Sequence, residues 1–106
     1  MKHYDIKVKG KVQKVGLRFL SLKRAYELRL NGFVKYGNDK ESVIYEIEGD
    51  EENCEQFMKW LRKGVKFADI ETLEINEGEI KYYPTFEIIQ RTVSKFPDEL
   101  VKFKII

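Results

Sequence analysis

Cysteine and histidine each occur once in this 106-residue sequence, as Cys54 and His3. A single cysteine closes no intramolecular disulfide, and one cysteine with one histidine falls short of the ligand set of a structural zinc site. The sequence is therefore expected to belong to a reducing, cytoplasmic compartment and to carry neither a metal nor another cofactor. No apolar run approaches the roughly 20 residues that cross a bilayer, and none follows Met1, so no membrane span is expected. An excess of one charge is also lacking. Twenty Lys and Arg stand against eighteen Asp and Glu, a formal charge of +2. So small an excess argues against a nucleic-acid partner. No internal repeat or low-complexity linker divides the chain.

What is present suffices for one core, with 42% apolar and 13% aromatic residues in a chain of single-domain length. Tyr4, Ile6 and Val8 alternate with polar neighbours over residues 3 to 9, the period of a half-buried strand that Gly10 closes. Phe19, Leu22, Ala25, Tyr26 and Leu30 recur at three- and four-residue spacing, as one helix face would. Asn31-Gly32 is a left-handed stop signal for that helix. Phe33 to Tyr36 and Val43, Tyr45 and Ile47 predict a hairpin around Gly37 to Lys40. Asp50, followed by Glu51 and Glu52, opens a second helix whose face is Cys54, Phe57, Met58 and Leu61, with Gly64 as its stop. Strand candidates at 70–75 and 85–89 follow.

The order is βαββαβ with a short extra strand. It predicts a ferredoxin-like two-layer α+β sandwich, an antiparallel sheet with both helices on one face. Residues 1–90 form the expected domain. Residues 91–106, ending in the apolar Leu100, Val101, Phe103, Ile105 and Ile106, are expected to be a C-terminal extension adding an edge strand. His3 is taken as a strand-edge residue and Cys54 as a small core hydrophobe.

Function is sought in the first third, where Lys and Arg from Lys2 to Lys35 outnumber Asp5 and Glu27. A strand running into Gly10-Lys11-Val12-Gln13-Lys14-Val15-Gly16 and then a helix start gathers backbone N–H groups at the positive end of a helix dipole, a cradle for an anion. Arg18 in the first helical turn adds a planar fork suited to phosphate oxygens. The pattern Val8-x-Gly10-x-Val12-Gln13-x-Val15-x-x-Arg18 resembles the signature loop of the acylphosphatases, Gly-x-Val-Gln-Gly-Val-x-Phe-Arg. It departs at Lys14, where the family has Gly, and at Leu17, where it has Phe. The resemblance continues through Gly32-Phe33-Val34-Lys35, Val43, Gly49, Trp60-Leu61 and Phe86-x-Ile88, about the first 90 residues.

The resemblance implies hydrolysis of the carboxyl-phosphate bond of small acyl phosphates. Gly10, Lys11, Val12, Gln13, Lys14, Val15 and Arg18 would hold the phosphoryl group, and a strand asparagine would position the attacking water, without a metal. That asparagine is displaced here. Counted forward from Gly32-Phe33-Val34-Lys35 its place falls on Tyr36, and counted back from Val43 and Gly49 it falls on Gly37. Asn38 is one or two residues away and is the second candidate. A phenol does not reproduce the short amide that both accepts and donates, so turnover is expected to be weak. A positive φ at Lys14 would cost about 1 kcal/mol with a side chain present.

Two other classes are open to the sequence. An anion-binding or regulatory domain without turnover would keep the same loop. An RNA-binding module of the same sandwich would use Arg29 to Tyr36 as its aromatic octamer, but Leu30 and Asn31 break that motif and the segment precedes the hairpin turn instead of following it.

Overall fold

A computed structural model of the chain describes residues 1–90. The elements are β1 (Lys2–Lys11), α1 (Leu17–Glu27), β2 (Asn31–Tyr36), β3 (Ser42–Gly49), α2 (Glu51–Lys63), β4 (Asp69–Gly78) and β5 (Phe86–Ile88). They form one five-stranded sheet in the order β4-β1-β3-β2-β5. β1 pairs antiparallel with β3 and β4, and β2 antiparallel with β3. β5 joins parallel to β2, through Gly32 to Phe86 and Val34 to Ile88, so the short extra strand departs from the otherwise antiparallel sheet. The expected sandwich is the observed one. The tail from 91, with its expected edge strand, lies outside the described residues.

Alternation sorts the faces. Ile6 and Val8 of β1, Val34 of β2 and Val43, Tyr45 and Ile47 of β3 are buried together with Leu17 and Ala25 of α1 and Cys54, Phe57, Met58 and Leu61 of α2. The packing brings the Tyr45 and Phe57 rings edge to face at 5.5 Å. Burial pushes the Cys54 thiol up to about 11, which keeps it a protonated core side chain.

Three local expectations are corrected. The buried face of α1 is Leu17, Ser21 and Ala25, while Phe19 and Tyr26 are exposed. Ser21 is tolerated in the core because its hydroxyl shares a 2.7 Å hydrogen bond with the Tyr45 hydroxyl. The helix also ends earlier, at Glu27. Arg29 takes the left-handed conformation, φ 55°. The Arg29 and Leu30 amides then donate to the Tyr26 and Ala25 carbonyls, the double bond of a Schellman cap. Asn31 and Gly32 are thereby released to β2. Finally, β1 passes through Gly10 to Lys11, with a register shift at Lys9/Gly10 against β4. Gly10 sits at φ +140°, where a Cβ would meet the Asp69 carbonyl oxygen at 2.1 Å. Only glycine fits that crossing of backbones.

Candidate functional site

The loop between β1 and α1 is tied to the β2–β3 turn by short bonds. The Gln13 side-chain amide donates to the carbonyls of Asp39 and Ser42 at 3.0 and 2.8 Å. The Gly10 amide donates to the Glu41 carbonyl at 2.9 Å. Across the turn the Asp39 carboxylate accepts from the Glu41 amide and the Ser42 hydroxyl, bonds that hold its pKa below the ordinary value. Val12 is buried in the core. Gly10, Val12 and Gln13 thus shape and anchor the loop, and Lys11 remains in the β1 ladder opposite Asp69.

The mouth of the loop is Lys14 to Arg18. Lys14 has φ 63°, so the left-handed turn that suits glycine is made here by a lysine. Gly16 caps α1 with φ 83°. The first bond within the helix is Leu20 N–H to the Gly16 carbonyl, which leaves the amides of Leu17, Arg18 and Phe19 without intrahelical partners at the positive end of the helix. Arg18 leans over Tyr36, its guanidinium carbon 3.8 Å from the ring centroid. The Lys14 amide donates to the Tyr36 hydroxyl at 2.6 Å. Lys14, Gly16, Arg18, Phe19 and Tyr36 line one recess of about 120 Å³.

Tyr36, at the end of β2, therefore stands in the same recess as Arg18. Asn38 does not line it. Asn38 lines a second recess of about 230 Å³ with Lys35, Tyr36, Gly37 and Ile44. A Cβ at Gly37 would meet the Ser42 hydroxyl at 2.0 Å, so a larger residue there has to turn that hydroxyl off the Asp39 carboxylate.

His3 is not a strand-edge residue. β1 lies between β3 and β4, and the imidazole is only 1% exposed. Its Nδ1 lies 2.7 Å from Glu48 Oε2 and its Nε2 2.9 Å from Asp5 Oδ1, with Glu46 Oε1 at 3.5 Å. Burial pushes the imidazole pKa down, and the bonds to Glu48 and Asp5 outweigh it, so the value is raised. Glu48 also accepts the amides of Lys81 and Tyr83. Burial alone would raise its pKa, and these bonds with His3 lower it. The sequence signal for this cluster was the alternation itself, which puts residues 3 and 5 of β1 and 46 and 48 of β3 on the sheet face opposite the helices.

A ferredoxin-like sandwich with a glycine-bounded loop feeding the first helix, and an arginine in that helix's first turn, defines a class of small α+β proteins. Within that class, a model of the acylphosphatase family matches residues 4–88, and the chain belongs to that family. An acylphosphatase of Oceanobacillus iheyensis is 36% identical over 78 residues, 73% of this chain and 85% of the relative. One of Archaeoglobus fulgidus is 33% identical over 84 residues, 79% of this chain and 93% of the relative. The crystal structure of acylphosphatase from Bacillus subtilis superposes with a TM-score of 0.79 at 29% identity, covering 84% of this chain and 99% of the other.

Proposed function

We propose that this chain hydrolyses the carboxyl-phosphate bond of small acyl phosphates, releasing a carboxylate and inorganic phosphate, and that it does so slowly. The observation that carries the reading is the convergence of the Lys14 amide, the head of α1 and the Arg18 guanidinium on one recess. These are the donors a phosphoryl group needs. Water attacks phosphorus in line, and the bond between phosphorus and the acyl oxygen breaks with the electron pair leaving on the carboxylate. The water's proton passes to solvent or to the phosphate. A carboxylate is a good leaving group, so positioning and charge neutralisation supply most of the catalysis.

The slow rate is inferred from Tyr36. Its oxygen already accepts the Lys14 amide, which leaves one O–H to offer to a water, where a side-chain amide both accepts and donates. Losing one such positioning group costs on the order of a hundredfold. The same side chain favours a second reading, an anion-binding domain without turnover. Residues 1–90 are the unit we assign to either role, and the buried, reduced Cys54 suits the cytoplasm.

Steady-state hydrolysis of an aryl acyl phosphate tests both. Expected are a low wild-type rate, a rise of about tenfold to a hundredfold in Tyr36→Asn, and loss of activity in Arg18→Ala. No turnover in either the wild type or Tyr36→Asn would favour the silent binding domain. A fast wild-type rate insensitive to Arg18→Ala would place the chemistry elsewhere.

A further inference from the structure

Tyr36 stands between two recesses and lines both. On one side are Lys14, Gly16, Arg18 and Phe19, in about 120 Å³, and on the other Lys35, Gly37, Asn38 and Ile44, in about 230 Å³. The phenol is turned into the first. There its oxygen accepts the Lys14 amide at 2.6 Å, and its ring carries the Arg18 guanidinium at 3.8 Å. One side chain thus engages two of the donors that an anion would use. A phenol oxygen on a backbone N–H at this distance stands where an oxygen of a tetrahedral anion would stand.

We propose that Tyr36 is a built-in competitor for the anion site, its hydroxyl holding a phosphate-oxygen position on the Lys14 amide until a ligand displaces it. The inference rests on the reading of the loop as a phosphoryl site. Displacing the Tyr36 side chain breaks side-chain contacts alone, the bond to the Lys14 amide and the stack on Arg18, and no bond of the β2–β3 or β2–β5 ladders. Such a gate lowers the apparent affinity by the fraction of molecules in which the ring is away. It therefore weakens every anion that needs the Lys14 amide by the same factor, the product phosphate included.

Titration of the loop amides with inorganic phosphate, followed by NMR in the wild type, Tyr36→Phe and Tyr36→Ala, tests the gate. Tyr36→Phe removes the oxygen and keeps the ring beneath Arg18. Phosphate is expected to bind it about fivefold to tenfold more tightly than wild type, as loss of one competing hydrogen bond implies. The Lys14 amide should exchange with solvent faster in ligand-free Tyr36→Phe than in wild type. Equal phosphate affinity in the two proteins, or equal Lys14 exchange, overturns the gate and leaves the phosphoryl site standing. Weaker binding by Tyr36→Phe overturns it too, by making the hydroxyl a ligand. If phosphate moves no loop amide in any of the three proteins, the phosphoryl site itself is wrong and the gate falls with it.

Discussion

Lys14 sits in a conformation that L side chains enter only at a cost, φ 63°, at the loop position where the family pattern has its second glycine. The left-handed region costs a side chain about 1 to 2 kcal/mol, while glycine brings about 0.5 to 1 kcal/mol of extra chain entropy to lose on folding. The difference favours glycine slightly. Lys14→Gly is therefore expected to stabilise the protein by up to about 1 kcal/mol, read as a rise in the urea midpoint at unchanged slope. A fall would mean that the lysine side chain makes compensating contacts. At this scale the sequence singled out Arg18 and Tyr36, which share one recess beside the loop, because fixed spacing along a strand, a loop and a helix start carries three-dimensional information. It did not disclose that Gln13 and Gly10 spend their bonds on the β2–β3 turn, since those partners lie in another element.

Among the elements, the strands were the most legible, because period two depends only on neighbours in sequence. Helix α1 was misread. Aromatic Phe19 and Tyr26 point outward, and polar Ser21 goes in because Tyr45 on β3 meets it. His3 was misread for the same reason, its buried partner Glu48 lying on β3 beside Asp5 of its own strand, with Tyr83 of the segment after β4 ring to ring at 6.4 Å. That segment is held to the helix-free face of the sheet by Glu48, which accepts the Lys81 and Tyr83 amides, and by Glu46, which accepts the Tyr83 hydroxyl and the Lys81 ammonium. The pH dependence follows from the two shifts. His3, raised, contributes stability that is complete below its ordinary value of about 6.5 and is lost as pH rises through the raised value. Glu48, lowered, contributes stability present above the ordinary glutamate value and lost as pH falls through the lowered one. Denaturant melts are expected to show greatest stability above the ordinary glutamate value and below the ordinary imidazole value. Glu48→Gln, which takes the buried carboxylate from His3 and leaves it Asp5, is expected to cost about 1 to 3 kcal/mol at pH values below the ordinary imidazole value. The deficit should narrow at alkaline pH, where His3 is neutral in both proteins. A deficit independent of pH would show that only the bonds to the Lys81 and Tyr83 amides matter.

For the molecule as a whole, the sheet order places β1 between β3 and β4, two strands that follow it at a long interval along the chain. β1 thus has no partner until β3 has followed it, beyond α1 and β2. The loop after β1 inherits that delay, for its shape depends on the carbonyls of Asp39, Glu41 and Ser42. Closing such distant pairs is the slow part of reaching the native state. An anion that recognises only the finished loop has nothing to grip before the barrier, so it acts on the molecule's lifetime and not on its birth. Stopped-flow chevrons with and without phosphate are expected to show the unfolding limb lowered by the ligand and the folding limb unmoved. A folding limb that rises with phosphate would mean that the loop is already shaped in the transition state, ahead of the sheet that frames it.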